Sequence, residues 1–238
     1  MAQTPKALES LLPDPVERYL RKLQPPRTGA LAALESRALR EDFPICGPQV
    51  GALLSLLIHA GGIRTVFEMG SGWGYSALWI AGALPTDGRL VLTDADDLRL
   101  AEARGALAQA AGHLHVEVRR GDALEILERS RETYDMIFCD VDKESYPDAF
   151  KIASGLINPG GLFVCDNALW KGRVAAPEPG DSHARSVDTM NRMVFSHPEF
   201  EAVMLPVHDG VLIARRAGPP PSLPLRRGEA PRRRREDR

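Results

Sequence analysis

Cysteine is scarce in this chain: 238 residues hold three, Cys46, Cys139 and Cys165. An odd number without zinc-type spacing excludes a disulfide scaffold, and so few thiols point to a reducing, cytoplasmic setting. No apolar run approaches the roughly 20 residues of a membrane span. The opening Met1-Ala2-Gln3-Thr4-Pro5-Lys6 lacks the charged-then-apolar layout of a secretion signal, so no membrane partner is expected. No internal repeat is visible. Charge of one sign is also missing overall, with a net of −2, but it is unevenly spread. From Gly218 to Arg238 seven arginines face three acids, so this tail carries +4 and the body about −6. The tail has no aromatic residue among its arginines and prolines. Stacking platforms for single strands are therefore lacking, and a nucleic-acid partner is not expected.

At 44% hydrophobic and 26% charged, the chain as a whole has the balance of a soluble globular protein. One domain is expected over residues 1–217, followed by a disordered Pro/Arg tail over 218–238. Helical spacing is read at Pro15–Leu23, Leu31–Leu39 and Pro48–Ala60, and residues 1–60 are expected to serve the substrate side. A βα rhythm follows. Strands are predicted at Thr65–Met69, Leu90–Thr93, His115–Arg119, Tyr134–Cys139 and Leu162–Cys165. Helices are predicted between them at Tyr75–Leu84, Asp97–Ala111, Ala123–Arg129 and Tyr146–Leu156, with another at His183–Ser196. Such alternation makes a mostly parallel sheet with helices on both faces. Phe200–Val207 and Val211–Arg215 are joined at His208-Asp209-Gly210, a hairpin signal. The fold class is thus α/β and Rossmann-like, with seven strands, the last one reversed.

Three strand ends carry features suited to a nucleoside cofactor. Gly70-Ser71-Gly72-Trp73-Gly74 lies between a strand and a helix, where glycines let backbone approach a ligand. The G-x-G-x-x-G spacing of dinucleotide sites is absent, and Glu68 would repel a pyrophosphate there. A cationic cofactor such as S-adenosylmethionine suits Glu68 better, with Ser71, Tyr75 and Ser76 at the helix start. Trp73 and Tyr75 are candidate aromatic faces for a sulfonium. Asp94, ending the next strand, can accept from both ribose hydroxyls, and Gly121-Asp122-Ala123 can border an adenine. Each feature also has a plain structural use, in a turn or a helix cap.

Two further strands stop on carboxylates. Tyr134–Asp140 continues as Val141-Asp142-Lys143, and Leu162–Asp166 continues as Asn167. If these strands are neighbours, Asp140, Asp166 and the Asn167 amide oxygen form an oxygen-only set suited to Mg²⁺, Mn²⁺ or Ca²⁺. Asp142 is a competing ligand. Lys143 is placed to take a proton from a hydroxyl held by the cation, which would push the lysine toward its neutral form. A small aromatic vicinal diol could offer two oxygens to such an ion. An oxidoreductase using a dinucleotide and a non-catalytic binding protein are the competing readings.

The stretches Val66–Ala81, Gly121–Leu124, Tyr134–Tyr146, Pro159–Gly172 and Val207–Ala214 resemble the cation-dependent O-methyltransferases, which include catechol and caffeoyl-CoA O-methyltransferases with bacterial and archaeal relatives. The specific parts are Phe138-Cys139-Asp140-Val141-Asp142-Lys143-x-x-Tyr146 and Gly160-Gly161-Leu162-Phe163-Val164-Cys165-Asp166-Asn167-Ala168-Leu169-Trp170. The resemblance implies a class I methyltransferase fold and metal ligation by Asp140, Asp166 and Asn167. It implies that Lys143 is the catalytic base, that Glu68 and the glycine loop hold the methionine moiety, with Asp140 beside it, and that Asp94 holds the ribose. It also implies a homodimer. The segments near Arg40–Gln49, Asp142–Ser145 and Leu169–Pro179 depart from both named enzymes, so the acceptor's identity does not carry over.

Overall fold

The computed structural model describes residues 11–112 and 114–218; the tail beyond Gly218 lies outside them. Three helices come first: α1 (Asp14–Leu23), α2 (Gly29–Glu41) and α3 (Gly47–Gly61). The alternating part follows as β1 (Thr65–Met69), α4 (Tyr75–Ala83), β2 (Arg89–Asp94), α5 (Asp97–Ala111), β3 (His115–Arg120), α6 (Ala123–Glu128), β4 (Tyr134–Cys139), α7 (Tyr146–Leu156) and β5 (Ile157–Cys165). The chain closes with α8 (Ser182–Ser196), β6 (Phe200–Leu205) and β7 (Val211–Arg216). Local chemistry sets the helix ends. Asp96 caps α5 by accepting from the Leu98 and Arg99 N–H groups. Gly62, at φ +60°, ends α3 with its N–H on the Ile58 carbonyl.

The seven strands form one sheet in the order β3-β2-β1-β4-β5-β7-β6. The first five are parallel, and β7 runs antiparallel to both β5 and β6. The reversed strand therefore lies inside the sheet and β6 is the edge. Alternation splits the apolar side chains between two layers. Val66, Leu90, Met136, Phe138 and Val164 pack with Leu54, Ile58, Ile80 and Leu100 of α3–α5. Phe67, Ile137, Cys139, Phe163 and Cys165 pack with Phe150, Val187 and Val194 of α7 and α8. Each such fully buried large side chain contributes on the order of 1.5–3 kcal/mol. All three cysteines are buried and unpaired.

β5 starts five residues earlier than the sequence predicts, at Ile157. Asn158-Pro159-Gly160-Gly161 has turn composition, and Gly160 does take φ +84°. The segment nevertheless stays in the sheet, through an irregularity in its pairing with β4.

Chain order reverses between β1 and β4, which opens a crevice at their carboxyl ends. Register places a row of residues along that edge. Met69 pairs with both Thr93 and Cys139, and Cys139 pairs with Cys165. The next residue on each strand is Asp94, Gly70, Asp140 or Asp166, so these four stand side by side. A Cβ on Gly70 would overlap the Asp140 carbonyl oxygen, so glycine is required where the two loops cross. Because β7 is antiparallel, its beginning lies at the same edge, and the 206–210 connection arrives there too.

Candidate active site

Above this row lies a cavity of about 630 Å³. Gly70, Ser71, Gly72, Tyr75, Ser76, Asp94, Asp122, Ala123, Asp140, Lys143, Asp166 and Asn167 all line it. Of the residues expected at a site, Glu68 alone stands behind this wall. It points to the α4 layer, is fully buried, and accepts a short hydrogen bond from the Ser76 hydroxyl. Its second oxygen and the Ser71 hydroxyl are buried with no partner beyond each other. Burial pushes the Glu68 carboxyl up to about 7, with hydrogen bonds from Ser76 and Ser71 opposing. The Glu68 carboxylate and the adjacent Ser71 hydroxyl together can receive a donor such as an ammonium.

The glycine loop is not an anion nest. Gly70 and Ser71 donate their N–H groups to the Thr93 carbonyl at 3.2 and 2.9 Å, and Gly74 donates to the Ser71 carbonyl at 2.8 Å. Gly72 donates to Asp94 Oδ2 at 2.9 Å. These donors are spent within the protein, so a pyrophosphate would find few here, and the carboxylates stand where it would lie. Asp94 does not cap α5; its other oxygen accepts from the Asp96 N–H at 2.9 Å. Asp122 caps α6 by accepting from Leu124 and Glu125, and still borders the cavity.

Trp73 is stacked on Phe43 at 3.8 Å between centroids and carries the Arg37 guanidinium 3.9 Å from its ring. The Tyr75 hydroxyl donates to Glu35 at 2.6 Å. Both aromatics are thus anchored on α2 and the loop after it, and both line the cavity. Without a cation, Lys143 is held as an ammonium. Burial favours the neutral form, but the Asp140 charge and hydrogen bond outweigh it and raise the pKa.

The lysine sits in a connected network. Its Nζ donates to Asp140 Oδ1 at 3.0 Å, to the Val141 carbonyl at 3.3 Å and to the Tyr146 hydroxyl at 2.6 Å. Tyr146 in turn donates to the Asp166 carbonyl at 2.9 Å. Lys143 is thereby tied to both acidic strand ends. Asp166 is 1% exposed, and one of its oxygens accepts from the Asn167 N–H at 2.8 Å. Asp142 is exposed and Asp140 half-buried, which favours Asp140 as the oxygen donor inside the cavity. Asp140 is raised by burial and by Asp166, with Lys143 opposing. Among the described residues no three His, Cys, Asp or Glu side chains gather as ligands. A cation here would rest on two carboxylates and the Asn167 amide. That donor set is chemically suited to a hard ion, and its excess negative charge fits one.

The cavity also includes groups that sequence reasoning left as a turn. His208 and Asp209, from the β6–β7 connection, line it beside Asp166. Asp209 accepts a short hydrogen bond from the Lys171 N–H, and burial pushes its carboxyl up to about 6. The signal that could have found them is the antiparallel direction of β7, which returns the turn to the ligand edge. Phe43, Pro44, Ile45 and Cys46, between α2 and α3, close another wall. No helix among the described residues is long and apolar enough to cross a membrane.

Residues 33–217 match the O-methyltransferase family. A putative O-methyltransferase of Mycobacterium avium is 34% identical over 186 residues, covering 77% of this chain and 84% of its own. A catechol O-methyltransferase of Niastella koreensis is 29% identical over 212 residues, covering 84% and 96%. An O-methyltransferase of Bacillus cereus, solved in complex with SAH, superposes with a TM-score of 0.76 at 28% identity, covering 85% of this chain and 97% of that one.

Proposed function

This chain belongs to the O-methyltransferase family, and we propose that it transfers the methyl group of S-adenosylmethionine to one hydroxyl of a small aromatic vicinal diol, with a divalent cation, Mg²⁺ foremost, at Asp140, Asp166 and Asn167. The observation that carries this reading is the placement of Lys143, 3.0 Å from Asp140 and linked through Tyr146 to Asp166, beside the glycine loop in one cavity. The relative from Niastella koreensis, a catechol O-methyltransferase, and the SAH complex of the Bacillus cereus enzyme support the acceptor class and the cofactor.

When bound, S-adenosylmethionine supplies an electrophilic methyl and the cation supplies Lewis acidity and a two-oxygen grip on the acceptor. Glu68 and Ser71 would receive the amino group of the methionine part, and Asp94 the ribose hydroxyls. Asp140, Asp166 and Asn167 would hold the cation. Lys143 Nζ takes the proton of the attacking hydroxyl. Its pKa would fall toward that of a base once a cation engages Asp140, because burial and the ion's like charge would then act without the attraction that now raises it. Tyr146 keeps the amine aimed, and fixed alignment supplies much of the rate.

A methyl-transfer assay with S-adenosylmethionine and catechol tests the reading. Chelation should abolish transfer, and added Mg²⁺ should restore it. Phenol should be a poor acceptor because it offers one oxygen. Full activity in excess EDTA, or equal rates on phenol and catechol, would overturn the cation-held diol.

A further inference from the structure

His208 occupies an unusual position. Its backbone is in the left-handed region at φ +54°, a conformation uncommon for residues other than glycine and one whose cost surrounding structure must sustain. Its ring is 6% exposed, and both ring nitrogens lack hydrogen-bond partners. A buried polar ring of this kind calls for an explanation. One edge of the ring faces Gly47 at the start of α3. On the other side Nδ1 lies 3.9 Å from Asp166 Oδ1, the oxygen that already accepts from the Asn167 N–H.

We propose that His208 is a positioning residue for Asp166: with its proton on Nδ1 it donates to Oδ1, so that two N–H groups fix that oxygen and the carboxylate presents the other to the cation. The proposal rests on the reading of Asp166 as a cation ligand. The 3.9 Å gap is longer than a hydrogen bond, and a ring adjustment of about 1 Å closes it. Outer donors of this kind orient a ligating carboxylate, and their loss typically costs about 10–100-fold in metal affinity. The fold explains how the residue arrives. Gly210 packs so closely on Leu169 that a Cβ would overlap it, and the Gly210 and Asp209 carbonyls accept from Ala168 and Leu169 at 2.8 and 3.0 Å. The turn is thus clamped to the segment that follows Asp166 and Asn167.

Two substitutions separate positioning from simple packing. His208→Gly removes the ring and suits the left-handed backbone. His208→Asn also tolerates that backbone and puts its amide nitrogen at the same bond count from Cβ as Nδ1, so it should rescue. Mn²⁺ affinity would be measured by electron paramagnetic resonance of free and bound ion. S-adenosylmethionine affinity would be followed by calorimetry without metal, and Tm by thermal melts. The expected result is a Mn²⁺ affinity at least about 10-fold weaker in His208→Gly, largely recovered in His208→Asn, with cofactor affinity and Tm retained. Unchanged Mn²⁺ affinity in His208→Gly would overturn the proposal, as would joint loss of Mn²⁺ and cofactor binding in both variants. A wild-type protein that binds no Mn²⁺ would overturn both this inference and the metal reading beneath it, whereas unchanged variants of a protein that does bind it would overturn the inference alone.

Discussion

Replacing Glu68 by Gln should stabilise the ligand-free protein, and only at the higher end of the pH range. The Glu68 carboxyl is fully buried and pushed from 4.5 to about 7. Between those values the folded protein holds a proton that the unfolded chain has released. Stability is therefore lost as pH rises through this window, and the full penalty is present above about 7. A shift of that size corresponds to about 3 kcal/mol. Glutamine keeps a polar group for Ser76 and has no proton to lose. The two proteins should melt alike near pH 5, and the Gln variant should gain with rising pH. By pH 8 the gain should reach about 3 kcal/mol, on the order of 10 °C for a domain of this size. Thermal melts of both proteins without ligand, from pH 5 to 8, measure the difference, and taking the difference cancels other titrating groups such as Asp209. The same substitution should weaken S-adenosylmethionine binding by about 1.5–3 kcal/mol, the range for hydrogen bonds to charged groups. Wild-type affinity should rise with pH up to about 7, because a cationic amino group requires the carboxylate. Parallel melting curves for the two proteins across this range would refute the reasoning, since burial of a titrating carboxyl cannot leave the pH dependence unchanged.

Other perturbations test other parts of the site. Lys143→Ala should leave Mn²⁺ binding in place and lower kcat on catechol by about 10²–10⁴-fold, the range for a general base; single-turnover kinetics beside a metal titration would show it. Asp94→Ala should weaken the cofactor by at least about 1 kcal/mol and also loosen the glycine loop, since Gly72 donates to it; calorimetry reports the first effect and hydrogen exchange at Gly72 the second. Gly70→Ala should destabilise the fold by about 2 kcal/mol or more, combining a left-handed backbone at φ +85° with overlap onto the Asp140 carbonyl, and urea unfolding checks it.

The sheet was legible because its strands are apolar runs that end on a change of chemistry. Thr65–Met69 and Tyr134–Cys139 were read to the residue, since a carboxylate or glycine follows each block of buried side chains. Asp140 and Asp166 could be paired from sequence because parallel neighbours with matched ends present the same next position. Composition misled at Asn158–Gly161, where turn residues remain in β5. Tertiary contacts settled Trp73 and Tyr75, whose partners Phe43, Arg37 and Glu35 lie some 30 to 40 positions earlier. No local pattern could announce those partners. The resting charge of Lys143 is likewise set by a tertiary contact. The sequence supplies a lysine three residues after a carboxylate, but their 3.0 Å contact makes the ammonium the resting form. His208 was the hardest to see, because its role depends on which way β7 runs and on where β7 inserts.

Electrostatics joins these parts. Asp94, Asp140 and Asp166 stand along one strand edge with Glu68 buried behind them, and Lys143 is the cation in direct contact with that row. The backbone donors that could have welcomed an anion are spent on Thr93, Ser71 and Asp94. A set of carboxylates only partly offset by Lys143 is costly to bury, as the raised Glu68, Asp140 and Asp209 register. Such a cost is retained where ligands relieve it. A sulfonium, an ammonium and a divalent cation would each lower it, and each would meet its own carboxylates. A dinucleotide, with two negative phosphates, would raise it. The same charge pattern that weakens the empty fold therefore selects the ligands of methyl transfer over those of hydride transfer.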